Sequence, residues 1–284
     1  MDGPTAPDLP ERRPEPGAAT ADAPLRVVIL TQEDRFFIPR NVDLICRDPG
    51  MDVREIVMLD ARGSLDNMRG RLLRWFGPVP LARLALRAGR TAALDFAQRL
   101  SGGRIGGGPA SLRAVARRHG VPYAEERDAN APAFLQRLRA HVPDVVVSFS
   151  APQVFRPELL SLPSRGCVNL HCSLLPHYRG LLPSFWVLYH GESRSGATVH
   201  LMDAEIDNGG ILGQVEVDIR GYRTMEQVLD ATKAAGGELM LETLRRLRRG
   251  PVTALPNPVD EGSYFTWPTM EQAREFRGKG LSLA

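Results

Sequence analysis

Apolar residues along the chain follow two rhythms. Residues 25–30 and 144–149 (DVVVSF) are short, nearly continuous apolar runs, as expected of strands buried on both faces of a parallel sheet. Residues 53–59 and 121–126 read as further strands. Between the strands, apolar positions recur every three or four residues and predict helices over 36–47, 110–119 and 131–141, with Gly120 as a helix stop. Residues 224–249 predict a long helix whose start, Thr224 with Gln227 three positions on, has the spacing of a capping box. Gly236-Gly237 inside it marks a kink or a close contact. Strands alternating with helices predict a doubly wound, mostly parallel α/β sheet.

Residues 64–108 break that rhythm. They read as two or three Arg-rich amphipathic helices with a glycine-rich exit, inserted into the α/β body of residues 25–250. One reading packs the Leu/Trp/Phe face on the domain and leaves the Arg face in water. The other docks the basic face on anionic lipid, nucleic acid or a phosphorylated substrate. Residues 1–24 are rich in Pro, Ala and charge, too poor in apolar surface to order themselves, and are expected to be a disordered tail. Residues 251–284 form a short C-terminal extension. They are expected to be too short for a separate β-barrel.

Composition narrows the class. With 284 residues, 43% hydrophobic and 24% charged, the chain can bury a full core without cross-links. The formal net charge of +3 is small for this length and does not mark a nucleic-acid binder. No apolar run reaches the roughly 18 residues of a membrane span, and the N-terminus lacks the apolar stretch of a secretory signal, so a cytoplasmic location is expected. Cys46, Cys167 and Cys172 are odd in number and read as free thiols. Cys172 reads as a small filler on the far face of its strand, not as a nucleophile.

Candidate chemistry is concentrated in residues 165–213. The run Val168-Asn169-Leu170-His171 is strand-like, so Asn169 and His171 point to one side. A Pro/Gly turn and a short helix follow, then the alternating run Ala197-Thr198-Val199-His200-Leu201. A tight acidic turn, Glu205-Ile206-Asp207-Asn208-Gly209-Gly210, comes next. An amide donor, a titratable ring and a carboxylate to orient that ring suit acyl transfer. His200 reads equally well as structural or catalytic. Arg179, in the turn, either binds an anionic part of a substrate or holds the loop. Arg71 and Arg74 of the basic segment are further candidates for an anionic substrate. There is no P-loop, no GxGxxG and no paired-cysteine metal spacing.

This block resembles the 10-formyltetrahydrofolate-dependent formyltransferases, whose pattern is Asn-x-His-x-Ser-Leu-Leu-Pro-x-Tyr-Arg-Gly, then Gly-x-Thr-x-His, then Asp-x-Gly. The chain matches it at Asn169, His171, Ser173, Leu174, Leu175, Pro176, Tyr178, Arg179, Gly180, Gly196, Thr198, His200, Asp207 and Gly209. The resemblance implies a Rossmann-like formyltransferase fold, Asn169, His171 and Asp207 as catalytic residues, and 10-formyltetrahydrofolate as cosubstrate without a metal. It also implies that Ser148, Phe149, Ala151, Val154 and Asp203 line the folate pocket. The expected acceptor is a primary amine on a small molecule, a nucleotide-linked amino sugar. Methionyl-tRNA formyl transfer and deformylase-type hydrolysis are the alternatives, and a homodimer is left open. Glycinamide ribonucleotide is disfavoured, because the first strand runs into Thr31-Gln32-Glu33-Asp34 with no glycine-rich phosphate loop.

Overall fold

The structure, a computed structural model, describes residues 23–32, 34, 36–60, 65–101 and 108–284. The proline-rich segment 1–22 and the glycine-rich exit 102–107 lie outside the described residues. The first half of the chain runs β1 (Leu25–Thr31), α1 (Ile38–Arg47), β2 (Met51–Leu59), α2 (Leu65–Phe76), α3 (Pro78–Leu100), α4 (Leu112–His119), β3 (Tyr123–Glu126), α5 (Pro132–Ala140) and β4 (Val145–Phe149). The second runs α6 (Pro157–Leu160), β5 (Cys167–His171), β6 (Arg179–Gly180), α7 (Pro183–His190), β7 (Arg194–Leu201), β8 (Ile211–Asp218), α8 (Met225–Arg249), β9 (Tyr264–Phe265) and α9 (Met270–Gly278). Seven strands make one sheet in the order β3-β2-β1-β4-β5-β7-β8, and β6 with β9 make a two-stranded one. From β3 to β5 the pairs are parallel, whereas β5–β7 and β7–β8 are antiparallel.

The central parallel strands β1 and β4 are nearly all apolar because both faces are covered. Val27, Ile29, Val145 and Val147 face a core that includes Val42 of α1 and Met240 and Leu244 of α8. The intervening Val28, Leu30 and Val146 face Phe134 and Leu138 of α5. This period of two, read on both faces, builds a three-layer α/β unit. At the sheet's edge β8 instead alternates half-buried and exposed positions from Gly213 onward.

Helix boundaries differ from the sequence reading by one or two residues, for visible reasons. Helix α1 begins at Ile38, not at residue 36, because the Asp34 carboxylate accepts the Phe36 and Phe37 N–H groups at 2.8 and 2.9 Å. Ser111 caps α4 by accepting the Ala114 N–H, so that helix starts at Leu112. The capping box of α8 forms as expected. Its Gly237 is a close contact: a Cβ there would lie 2.4 Å from Asn41 Oδ1.

The inserted segment forms two helices among the described residues. Trp75 and Phe76 of α2, with Leu81 and Leu84 of α3, join a second apolar cluster with Phe185, Trp186 and Phe276. Phe185 stacks on Phe276 at 4.4 Å, and Trp186 on Phe265 at 4.7 Å. The C-terminal residues therefore close this cluster from outside. Arg83, Arg90 and Arg99 are exposed, as the packed-face reading expects. No helix among the described residues is long and apolar enough to cross a membrane.

Candidate functional site

The antiparallel register of β5 and β7 sets Asn169 opposite His200 and His171 opposite Thr198. The β7–β8 loop then returns Asp207 to the same place. Asn169 Nδ2 donates to His200 Nε2 at 3.2 Å, and His200 Nδ1 donates to the Leu201 carbonyl at 2.7 Å. Asp207 lies between two rings: Oδ2 is 3.4 Å from His171 Nδ1, and Oδ1 is 3.5 Å from His200 Nε2. His171 Nε2 donates to the Tyr178 carbonyl at 2.8 Å. Both nitrogens of His171 thus face acceptors. Three of the four side chains are buried, and only Asn169 is partly open to solvent. Burial alone would raise the Asp207 carboxyl; the charge of His171 and the Gly180 N–H donated to it outweigh that and hold the carboxyl well below the usual range.

Two loops converge on this cluster, and both are braced. Thr198 Oγ1 donates to the Ser173 carbonyl (2.7 Å) while accepting from Leu175 N (3.1 Å) and Gln214 Nε2 (3.0 Å). The Gly180 N–H donates to Asp207 Oδ2 at 2.9 Å. Gly180 sits at φ 87°, where a Cβ would fall 2.3 Å from the Phe265 carbonyl, so no other residue fits that approach. Asn257 Nδ2 donates to both the Asp207 and Gly209 carbonyls, at 3.0 and 3.2 Å. Ser263 Oγ accepts from Tyr178 N at 2.9 Å. Tyr178, Leu182 and Asp207 are non-glycine residues in the left-handed region. Such conformations cost energy and persist only where the surroundings impose them. Thr198 stood in the motif without a role, and Gln214, Asn257 and Ser263 were not anticipated. Nothing local in the sequence signals them, since each acts on a loop far away along the chain.

The remaining candidates divide. Ser148 is buried and pairs in register with Asn169 across β4–β5. The Phe149 ring belongs to the core, while its carbonyl accepts from Thr31 Oγ1 at 2.8 Å. Ser150 follows at φ 52°, turning the chain away from the strand. Ala151 is half-buried; Val154 is 57% exposed, and its carbonyl accepts from Asn130. Asp203 braces its own turn through Glu205 N and Asn208 Nδ2. Arg179 Nη2 donates to the Ile206 carbonyl at 2.9 Å, which ties it to the Asp207 loop. Its Nε is buried without a partner, and the guanidinium lies 5.8 Å from the Tyr264 ring. Arg71 lies over Trp267 at 5.3 Å, and Arg74 donates to the Gly70 carbonyl within α2. Cys167 and Cys172 are buried, and burial pushes the Cys167 thiol up to about 12 and raises that of Cys172 as well.

Comparison with known proteins agrees with this arrangement. Residues 108–244 match the formyl transferase family model. The chain is 32% identical over 164 residues to a methionyl-tRNA formyltransferase of Citrifermentans bemidjiense, covering 58% of this chain and 51% of that protein. It spans about half the length of the curated relatives it matches. Among solved structures, glycinamide ribonucleotide transformylase 1 of Symbiobacterium toebii aligns over 82% of this chain and 94% of its own, at TM-score 0.56 and 20% identity. A sugar N-formyltransferase of a Shewanella species aligns over 89% and 86%, at TM-score 0.54 and 18% identity. These likenesses establish the doubly wound fold. The match to the formyl transferase family model spans residues 108–244, which hold the strand of Asn169 and His171 and the loop of Asp207.

Proposed function

We propose that the chain transfers a formyl group from 10-formyltetrahydrofolate to a primary amine. The observation that carries this reading is the half-exposed Asn169 amide above the buried Asp207, His171 and His200. One Asn169 N–H is taken by His200, so the second is free to donate to a formyl oxygen. The attacking amine forms a new C–N bond at the formyl carbon, whose oxygen gains negative charge. The bond to the folate nitrogen then breaks, and the proton lost by the amine leaves with that nitrogen. A fixed amide donor is worth ~2.7–4 kcal/mol at such an oxyanion. His171, held between the Tyr178 carbonyl and Asp207, supplies positive charge beside it. Asp207 holds that ring and relays the amine's proton. No covalent enzyme intermediate is needed, because bringing donor and amine together can itself offset ~7–11 kcal/mol.

The loop after β4 supports donor binding from one side. Ser148 and Phe149 are buried, so they meet a pterin through backbone groups, while the exposed Val154 and half-buried Ala151 offer apolar contact. Asp203 sets the turn on the opposite side. For the acceptor we favour a nucleotide-linked amino sugar. The unpartnered Arg179 Nε and the half-exposed Tyr264 ring together suit a phosphate joined to a flat base. At the end of β1, Asp34 already occupies the start of α1 and pairs with Lys233 at 3.0 Å, which disfavours a phosphate there. Methionyl-tRNA is the second reading, favoured by the names of the curated relatives. The test is a panel of nucleotide-linked amino sugars and charged initiator tRNA, each supplied with 10-formyltetrahydrofolate and read by mass for one added formyl group. Activity on the tRNA alone replaces the first acceptor by the second. Formate release without any amine points to hydrolysis instead.

A further inference from the structure

Helix α3 buries one face and leaves another, equally apolar, uncovered. Leu81 and Leu84 pack inward, and the one acidic residue of the helix, Asp95, is buried against Ser111 and Arg99. Facing outward, Val79, Leu86, Phe96 and Leu100 are 61, 59, 62 and 74% exposed. Scattered exposed apolar residues need no explanation. These are not scattered. Val79, Leu86, Ala93 and Leu100 recur every seven residues, and Ala82, Gly89 and Phe96 follow three behind. That alternation of three and four is the seam a helix presents to another helix, and here it runs the length of α3, about 32 Å.

We propose that this face docks against the same face of a second copy, antiparallel, around a two-fold axis near Gly89. Side-chain size is the first argument. An antiparallel pairing centred on Gly89 brings Leu86 of one copy beside Ala93 of the other, and Phe96 beside Ala82. Bulk meets absence of bulk at these two steps, Val79 meets Leu100 at either end, and Gly89, with open space where a Cβ would be, meets itself. The flanks are the second argument. Ala85 and Ala92 border the seam on one side, followed by Arg99, which is drawn to Asp95, and Arg83 and Arg90 border it on the other. An antiparallel two-fold sets each flank against itself, so the alanine sides face each other and the helices approach closely. A parallel pair would instead set alanines against arginines. Arg90 then comes near its own copy across the axis. Salt screens that repulsion, so the dimer tightens as salt rises.

Sedimentation velocity of the full chain over a concentration series tests this. The expected result is a monomer–dimer equilibrium that Leu86→Glu and Phe96→Glu each weaken about tenfold or more, since each would bury a charge in the seam. Both positions are exposed in the single chain, so the melting temperature stays in place at concentrations where the wild type is monomeric. Under mild oxidation Gly89→Cys cross-links to its own copy, whereas Ala82→Cys does so only when paired with Phe96→Cys. Cross-linking of Ala82→Cys alone overturns the antiparallel arrangement. Undiminished dimer in both glutamate variants overturns the surface. A monomeric wild type overturns the proposal outright, and its flotation with anionic but not neutral phospholipid vesicles would show that a lipid surface covers the face instead.

Discussion

The loops around Asp207 and the helix α3 solve opposite problems. In the loops, left-handed backbone at Tyr178, Leu182 and Asp207 is imposed by hydrogen bonds from β6, β7 and the segment 255–265. Helix α3 needs no such bracing: its backbone satisfies itself, and only one of its faces is fixed by packing. A buried carboxylate is placed accurately only where several distant groups agree on its position. A helix face, by contrast, remains free to meet another molecule. The contrast is therefore one between geometry that is over-determined and surface that is available.

The largest effect should come from the centre of the braced region. Asn169→Ala, His171→Ala and Asp207→Ala are each expected to fold, by circular dichroism, and to lose about 10²–10³-fold or more in kcat. A folded variant with near-normal kcat leaves the mechanism. Next in size is Asn257→Ala, which touches no reacting atom but removes two donors from the Asp207 loop. About tenfold in kcat is expected, with the KM for folate nearly unchanged and the acidic limb of the pH–rate profile displaced. An unmoved profile would mean that Asn257 only stabilises the fold. Smaller again is the acceptor term: Arg179→Ala should raise the acceptor's KM several-fold, about 1 kcal/mol, and Arg71→Ala much less. The reverse order would move the acceptor site to α2.

Acid tests the same contrast through stability. The Asp207 carboxyl lies below its value in the unfolded chain, near 4. Its contribution is thus fully present above about pH 4 and is lost as pH falls through the lower, folded value. Urea melts of wild type and Asp207→Asn should converge as pH drops below about 4. Parallel curves would show that the carboxylate is not held by its neighbours.

The fold was legible because the central strands β1 and β4 are apolar on both faces, and the helices between the strands carry ordinary start and stop residues. Asn169, His171 and Asp207 were legible because two lie on one strand face and the third follows a strand paired to it. What stayed hidden has a common cause. Asn257, Ser263 and Gln214 act through side-chain bonds to backbone in loops that are distant in the chain, and no periodicity records such a bond. His200 stayed ambiguous until the antiparallel register set it opposite Asn169. Arg71 and Arg74 were grouped with Arg179 by charge alone; Arg71 packs over Trp267, and Arg179 lies by Tyr264.

The brace from residues 255–265 also has a consequence for the order of synthesis. Strands β1 to β8 and the residues Asn169, His171 and Asp207 are all made before Asn257, Ser263 and Phe265. A nascent chain can therefore assemble its central sheet while the Asp207 loop is still unfastened. On the proposed function, catalytic competence follows assembly of the central sheet. Ribosome-bound chains stalled with residue 250 at the tunnel exit should resist protease across the sheet yet transfer little formyl group. Release of about fifteen further residues should restore turnover without adding a single residue to the central sheet.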